Sequence, residues 1–208
     1  MQSKKKLIVI VKYKSSGNTG SLFNALKKIV SNKYKILVSN NRTKLNDADA
    51  IILPGVGYFK EIMIDLERNN VVKVLKKHVA KKKPLLGICI GMHLLFNNSE
   101  EGDYHGIGLI RGSIKKIKNT KNLPIIGWKK NKLIKKNTLV KNLTNYYYFV
   151  HSYELKNCDN KIIKMSYSDT NNKIISYIEY KKVYGTQFHP ELSSTDGFNF
   201  LNNFVSLI

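Results

Sequence analysis

The sequence has few cysteines and no long apolar run. Its two cysteines, Cys89 and Cys158, lie far apart without the close spacing of a metal site, so neither a disulfide framework nor a metal is expected. No segment approaches the roughly twenty apolar residues of a membrane-spanning helix. The apolar run at 7–11 is too short for the core of a signal peptide. We therefore expect a cytoplasmic protein without a membrane segment.

Acidic residues and arginine are also scarce. The 208 residues include 36 Lys+Arg against 14 Asp+Glu, a formal net charge of +22, but only three of the basic residues are arginine. Nucleic-acid recognition favours the bidentate guanidinium group, and no recognition motif accompanies the lysines. We predict that the charge lies mostly on solvated faces and that no nucleic acid is bound. A basic nucleic-acid-binding module is the alternative from another function class.

The order of apolar segments predicts an α/β fold. In the first half, apolar strands alternate with amphipathic helices, which is typical of a mainly parallel sheet covered by helices on both faces. In the second half, polar turns separate successive strands and indicate antiparallel pairing. The strands predicted there lie at 106–118, 123–128, 146–155, 162–167, 174–180 and 183–188. No linker divides the chain, so we predict a single domain over residues 1–208.

The segment GICIG (87–91) joins a predicted strand to a predicted helix. Glycines on both sides of Cys89 permit the sharp turn of a nucleophile elbow, which lifts the side chain out of the sheet. The N-terminus of the following helix favours a thiolate and offers N–H groups to an oxyanion. A buried structural cysteine is the alternative, but the glycine frame favours a nucleophile.

A thiol nucleophile needs a base, and His189 in QFHPE (187–191) is the best placed of the five histidines. Pro190 favours extended backbone at the residue before it, and alternate residues of an extended chain point to one side. Glu191 is therefore expected to brace the imidazole of His189, as a carboxylate does in a catalytic triad.

Together, GICIGM (87–92) and QFHPE (187–191) resemble the class I, or triad, glutamine amidotransferase family. The resemblance covers the chain from about residue 7 to the C-terminus. It implies the family's three-layer α/β fold, no cofactor and no metal. It also implies a triad in which Cys89 attacks the side-chain amide of glutamine, His189 acts as base and then as acid, and Glu191 orients His189. A thioester would form, ammonia would leave, and glutamate would be the other product.

The segment PGVGYF (54–59) is similar to the oxyanion strand of the glutaminase subunits of imidazole glycerol phosphate synthases. This resemblance implies oxyanion donors at Gly55, Val56 and Ile90, glutamine contacts at Gly57, His93, Glu101, Ser152 and Tyr153, and partner contacts at Gly17, Asn18 and Trp128. The partner would be a (β/α)8-barrel cyclase in a heterodimer. It would use the ammonia to make imidazole glycerol phosphate and aminoimidazole carboxamide ribonucleotide in histidine biosynthesis.

Two positions depart from the family pattern. His93 stands where the family usually has glutamine, and Leu192 stands where a lysine that faces the cyclase is usual. The triad residues are all present, so the departures concern the substrate contact and the partner. A paralogue that supplies ammonia to another synthase, for example one that amidates a surface-glycan sugar, is therefore an alternative.

Overall fold

The computed structural model describes residues 5–14, 19–118, 120, 122–141, 144–169 and 172–208. Gly17 and Asn18, which are predicted to face a partner, lie outside the described residues. The strands are β1 (Lys6–Val11), β2 (Tyr34–Ser39), β3 (Ala50–Leu53), β4 (Leu85–Ile88), β5 (Asn98–Ser99), β6 (Tyr104–His105), β7 (Ser113–Lys116), β8 (Ile125–Leu133), β9 (Thr144–His151), β10 (Tyr153–Lys156), β11 (Ile163–Asp169), β12 (Asn172–Tyr180) and β13 (Val183–Thr186). The helices are α1 (Gly20–Ile29), α2 (Arg42–Asp47), α3 (Phe59–Arg68), α4 (Val71–Ala80), α5 (Ile90–His93) and α6 (Ser194–Val205), with a short 3-10 helix at Pro190–Leu192.

The strands form a large and a small sheet. The large sheet has the order β2-β1-β3-β4-β13-β12-β11-β8-β9, and the small sheet has the order β10-β7-β5-β6. Neighbouring strands are parallel from β2 to β13 and antiparallel from β13 to β9. In the small sheet β7 pairs in parallel with β5, so the antiparallel prediction for the second half is wrong there, and it is also wrong for one edge of β13. This strand pairs in parallel with β4, because the chain returns from the antiparallel strands to the centre of the sheet.

Helices cover both faces of the parallel part. Successive residues of a strand point to opposite faces, so Val9 of β1 packs in one apolar cluster with Ile62 of α3. Ile8 packs in the other cluster with Leu26 of α1 and Phe204 of α6. All residues of β3 and β4 are buried, as expected for parallel strands between two helix layers. The predicted α/β arrangement is confirmed, with parallel strands between helices and an antiparallel portion from the second half, and both portions belong to one large mixed sheet.

Two predicted strands differ from the observed ones. The strand predicted at 106–118 forms as β7 only, because Gly108 and Gly112 adopt positive φ values of 67° and 154°. The strand predicted at 146–155 is divided into β9 and β10, which belong to different sheets. Ser152 lies at the division, where the chain leaves the large sheet for the small one.

The excess of positive charge lies at the surface. Within the described residues, the buried polar side chains include histidine, serine, threonine, asparagine, glutamine and glutamate, but no lysine or arginine. This distribution agrees with the prediction that the lysines occupy solvated faces. Over the same described ranges, no helix combines the length and the apolar character needed to cross a membrane.

His78 connects α4 to β4 in its neutral form. The side chain is buried, and Nε2 lies 3.0 Å from the carbonyl oxygen of Pro84, just before β4. Burial lowers the pKa of His78 to about 4, and this effect outweighs the hydrogen bond to Pro84, which favours the protonated ring. Acid must therefore protonate a ring that the fold holds neutral.

We expect His78 to contribute to acid denaturation. The unfolded chain binds a proton at His78 below about pH 6.5, whereas the folded chain does so only near pH 4. The unfolded state holds more protons between these values, so stability is lost as the pH falls through this window. In His78→Gln the amide can still donate to Pro84. Between pH 6.5 and 4, the free energy of unfolding of this variant should therefore fall less than that of the wild type, and the difference should be about 1–3 kcal/mol.

Urea unfolding at a series of pH values measures this difference. The variant His105→Gln is the control, a change at an exposed histidine rather than a buried one. Parallel pH profiles for the wild type and His78→Gln would contradict the expectation.

Candidate active site

Cys89 occupies the turn between β4 and α5. Its φ of 48° is strained for a residue with a side chain. The turn is possible because its neighbours are glycines: a Cβ on Gly87 would lie 2.4 Å from the carbonyl oxygen of Gly91, and a Cβ on Gly91 would lie 2.2 Å from that of Leu53. The structure thus has the elbow geometry that the glycine spacing predicts.

The parallel pairing of β4 and β13 brings His189 to Cys89. Thr186 lies opposite Ile88, and the backbone N–H of Cys89 donates to the carbonyl oxygen of Thr186 at 2.6 Å. A Cβ on Gly55 would lie 2.7 Å from Cε1 of His189 and 3.1 Å from Cβ of Cys89. Gly55, in the predicted oxyanion segment, therefore packs closely against both Cys89 and His189.

Glu191 holds the other side of the imidazole. Nδ1 of His189 lies 2.9 Å from Oε1 of Glu191, and both side chains are almost fully buried. The expectation of extended backbone through Glu191 is wrong, because Pro190 starts a 3-10 helix that turns the carboxylate back toward the ring. The predicted His189–Glu191 pair is nevertheless formed.

The imidazole of His189 is poised to carry a proton. Nε2 is buried and makes no hydrogen bond of ordinary geometry within the described residues, so its link to Cys89 is mainly electrostatic. Burial disfavours the imidazolium, but the charges of Cys89 and Glu191 and hydrogen bonding outweigh it and raise the pKa of His189 above its ordinary value. The site can therefore hold a proton beside the sulfur.

A cavity of about 230 Å³ opens beside Cys89. Its lining residues are Gly55, Gly57, Cys89, Ile90, His93, Glu101, Pro124, Val150, His151, Ser152 and Tyr153. The structure thus brings together all the residues that the resemblance assigns to glutamine. Of the predicted oxyanion residues, Gly55 and Ile90 line the cavity, whereas Val56 is not among the lining residues. Trp128 lies outside the cavity, exposed on β8.

The ionisable groups around the cavity are shifted mainly by burial. Burial raises the pKa of Glu101 to about 7, although the backbone N–H of Phe59, at the start of α3, favours the carboxylate. Burial also lowers the pKa of His93 and of His151 to about 4 each. Nδ1 of His151 lies 2.8 Å from the carbonyl oxygen of Tyr153. Neutral imidazoles and a weakly acidic carboxyl group therefore surround the space next to the sulfur.

Sequence reasoning gave no role to two groups that contact the sulfur. Sγ of Cys89 lies 3.7 Å from the carbonyl oxygen of Val150, and the side-chain nitrogen of Gln187 lies 3.7 Å from Sγ. Oε1 of Gln187 in turn lies 2.8 Å from Nε2 of His93. Helical spacing places His93 one turn after Cys89. The link to Gln187 depends on the pairing of β13 with β4, for which the sequence has no local signal.

The turn that carries the imidazole is anchored to β9 and α6. Oγ of Ser193 donates to the carbonyl oxygen of His189 at 2.5 Å and accepts from the backbone N–H of Tyr148 at 2.9 Å. Gly197 of α6 packs directly on the turn, since a Cβ there would lie 1.9 Å from the carbonyl oxygen of Pro190. A side chain at this position must displace the turn or the helix.

We expect Gly197→Ala to destabilise the protein by about 1–3 kcal/mol, the usual effect of overpacking a close contact. Urea unfolding with a common denaturant slope measures the difference. Asn199→Ala is the matched control, because Asn199 is exposed in the same helix and its truncation should change the free energy of unfolding by less than about 0.5 kcal/mol. Equal stability of Gly197→Ala and the wild type would contradict the close packing of α6 on the turn.

Comparisons with known proteins agree with this geometry. The sequence model of the family described as glutamine amidotransferase class-I matches residues 16–207. The imidazole glycerol phosphate synthase subunit HisH of Pelagibacter ubique is 36% identical over 208 residues, covering 96% of this chain and 99% of that protein. The subunit HisH 2 of Methanococcus maripaludis is 39% identical over 204 residues, covering 96% and 98%.

Solved structures show the same fold at lower identity. PurLQS from Thermotoga maritima has a TM-score of 0.75 at 18% identity, covering 98% of this chain and 99% of that chain. The glutaminase domain of Trypanosoma brucei CTPS, solved with bound acivicin, has a TM-score of 0.71 at 17% identity, covering 97% and 93%. The predicted α/β fold and the resemblance to glutamine amidotransferases are therefore confirmed. The chain belongs to the class-I glutamine amidotransferase family and, within it, to the family of the HisH subunits.

Proposed function

We propose that the chain is the glutaminase subunit of an imidazole glycerol phosphate synthase, a single domain that hydrolyses glutamine to glutamate and ammonia in the cytoplasm. The arrangement of Cys89, His189 and Glu191 beside one cavity carries this proposal. A thiol on an elbow, next to an imidazole held by a buried carboxylate, is the arrangement that nucleophilic acyl transfer requires. The names of the HisH relatives support the same function.

In the proposed reaction, Cys89 gives its proton to Nε2 of His189 and the sulfur attacks the amide carbon of glutamine. The backbone N–H groups of Val56 and Ile90 stabilise the oxyanion, after rotation of the Gly55–Val56 peptide. Each such donor typically contributes on the order of 3 kcal/mol to transition-state stabilisation. His189 returns the proton to the departing nitrogen. Ammonia is released, and the glutamyl group remains bound to Cys89 as a thioester. Water then hydrolyses the thioester, with His189 as base, to give glutamate and the free thiol.

We propose that Gly57, His93, Glu101, Ser152 and Tyr153 hold the glutamine. These residues come from different elements and line one cavity with the thiol. The glutamine has an ammonium group that needs a negative partner, and Glu101 supplies a carboxylate in the cavity wall. Ser152 and Tyr153 contribute from the division between β9 and β10.

We propose that ammonia passes to a (β/α)8-barrel cyclase that docks on β8 and β9. Ile126, Trp128 and Tyr146 are 59%, 50% and 48% exposed on these neighbouring strands. Exposed apolar side chains grouped on neighbouring strands are typical of a protein interface. Val150 of β9 lines the cavity, so the proposed docking surface adjoins the catalytic site. The cyclase would use the ammonia to form imidazole glycerol phosphate and aminoimidazole carboxamide ribonucleotide.

One observation favours a second candidate, a paralogue that serves another synthase. Leu192 follows Glu191 and is 44% exposed, so an apolar side chain faces outward where the subunits of this family usually present a lysine. Such a change alters the charge that a partner meets. The catalytic chemistry would be the same, and the acceptor of ammonia would differ.

Reconstitution with the cyclase from the same genome tests the proposed function. The isolated chain should hydrolyse glutamine slowly, and the cyclase with its nucleotide substrate should raise the rate. Cys89→Ala should lower the activated rate by roughly 10⁴-fold or more, because loss of a nucleophile removes the covalent route. Glu191→Gln should lower kcat by roughly 10⁴-fold through loss of the correct imidazole tautomer. Cys158→Ala is the matched control and should retain full activity.

Growth of a histidine auxotroph lacking this subunit distinguishes the two candidates. The chain and its cyclase should together restore growth, and Cys89→Ala should not. Glutaminase activity without complementation would instead support the paralogue. Absence of glutaminase activity in the reconstituted complex would overturn both.

The ionisation of Glu101 should set the pH dependence of glutamine binding. The carboxyl group, whose pKa burial raises to about 7, must lose its proton to pair with the ammonium of glutamine. KM for glutamine should therefore fall as the pH rises from about 6 to 8 and level off above. Glu101→Gln should raise KM by about 30-fold or more, since losing one partner of a buried charge pair costs about 2–5 kcal/mol.

Initial rates of the activated complex, measured across this pH range, give KM at each pH. Glu101→Gln should lose the fall in KM, whereas Glu100→Gln, a change at an exposed neighbouring carboxylate, should keep it. A wild-type KM that does not change with pH would contradict the role of Glu101.

A further inference from the structure

We infer that His93 and Gln187 form a positioning pair for the catalytic sulfur, in which His93 holds the Gln187 amide so that its N–H group faces Sγ of Cys89 and stabilises the thiolate. This inference rests on the proposed function, in which Cys89 is the nucleophile. It adds Gln187, a residue with no role in the proposed reaction, to the site. It also gives His93 a second role besides the proposed contact with glutamine.

The pair is buried and held at both ends. Gln187 has no exposed surface, and its backbone N–H donates to the carbonyl oxygen of Ser176 at 2.9 Å. The side-chain nitrogen lies 3.7 Å from Sγ of Cys89, within the range of an N–H···S hydrogen bond, and Oε1 lies 2.8 Å from Nε2 of His93. A buried amide with partners at both its nitrogen and its oxygen is fixed in one orientation.

The charge of a thiolate determines the orientation of the Gln187 amide. A carbonyl oxygen would be repelled by a thiolate, whereas an amide N–H donates to it. Oε1 of Gln187 therefore faces His93, whose Nε2 must carry the hydrogen that it donates. Burial lowers the pKa of His93 to about 4, so the ring is neutral near pH 7 and Nδ1 carries a lone pair.

This tautomer has a consequence for the substrate. Nδ1 of His93 is buried without a hydrogen-bond partner among the described residues, and His93 lines the cavity. A lone pair on Nδ1 accepts a hydrogen bond and donates none, so a substrate contact made at this atom would have to come from an N–H group of glutamine. The family usually has a glutamine residue in place of His93, and the side-chain amide of that residue can present either a donor or an acceptor to the substrate. Histidine, with its Nε2–H committed to Gln187, presents an acceptor alone.

The other titratable groups around the sulfur come from separate elements. His189 follows β13 with Glu191 behind it, His151 ends β9, and Glu101 lies in the cavity wall. The carbonyl oxygen of Val150 accepts from the thiol at 3.7 Å. The neutral thiol thus has an acceptor, whereas the amide N–H stabilises the ionised sulfur. Removing the N–H group of Gln187 should therefore favour the neutral thiol of Cys89 over the thiolate.

The pH dependence of Cys89 alkylation by iodoacetamide tests the inference without turnover. The full chain carries Cys158→Ala, so that Cys89 is the reacting thiol. Gln187→Met keeps the length of the side chain and removes the N–H group. Its alkylation midpoint should lie about one pH unit above that of the parent, because a donor to the charged form is lost. Gln187→Glu, which places a negative charge near the sulfur, should raise the midpoint further.

Variants of His93 test its part in the pair. His93→Leu frees the Gln187 amide and should also raise the midpoint. His93→Gln can again donate to Oε1 of Gln187, so its midpoint should lie close to that of the parent. His78→Gln, which removes a buried histidine outside the site, should leave the midpoint unchanged. A merely structural role would lower stability in these variants without this pattern in the midpoints.

The outcomes separate this inference from the proposed function. An unchanged midpoint in folded Gln187→Met overturns the positioning role, even if Cys89→Ala still abolishes glutaminase activity. A raised midpoint supports the role even if the reconstituted complex proves inactive. Nitrogen-15 NMR of labelled histidine gives a second measurement, in which Nδ1 of His93 should have the shift of an unprotonated ring nitrogen. A protonated Nδ1 in the free protein would overturn the assigned tautomer.

Discussion

The parallel pairing of β4 with β13 is the constraint on which the site depends. It aligns the carboxyl ends of two strands whose following residues are almost a hundred positions apart, Cys89 after one and Gln187 after the other. Ligands of open α/β sheets bind beyond these carboxyl ends, where loops from adjacent strands meet. A shift in this register would separate the thiol from His189 together with its supporting contacts.

The neighbouring elements hold geometry that is unfavourable in isolation. Cys89 has a positive φ, and the buried pair of His189 and Glu191 keeps ionisable groups away from water. Strained and buried polar groups persist when their surroundings fix them from several sides. Here glycines allow the backbone to pack closely at the elbow, and Ser193 joins the turn to Tyr148 of β9. The proposed docking strand β9 and the turn that carries His189 are therefore joined by hydrogen bonds.

Much of the site was predictable because its signals are local. The glycines around Cys89 predict the elbow, and the HPE segment predicts that Glu191 braces His189. Both are formed, although the second uses a 3-10 helix rather than extended chain. The contact between His93 and Gln187 was not predictable, because it joins residues 94 positions apart. Gly17 and Asn18 lie outside the described residues, so their place at an interface stays a prediction.

The sequence by itself determined the family, the alternation of strands and helices, and the side chains that can perform acyl transfer, since periodicity, turn residues and short motifs are read along the chain. Only the tertiary structure decided that β13 returns to the parallel part of the sheet and that the segment predicted at 146–155 divides between two sheets. It also decided that Gln187 reaches the sulfur. Strand partners depend on how distant apolar faces pack together, and residues near one another in the chain carry little information about that choice.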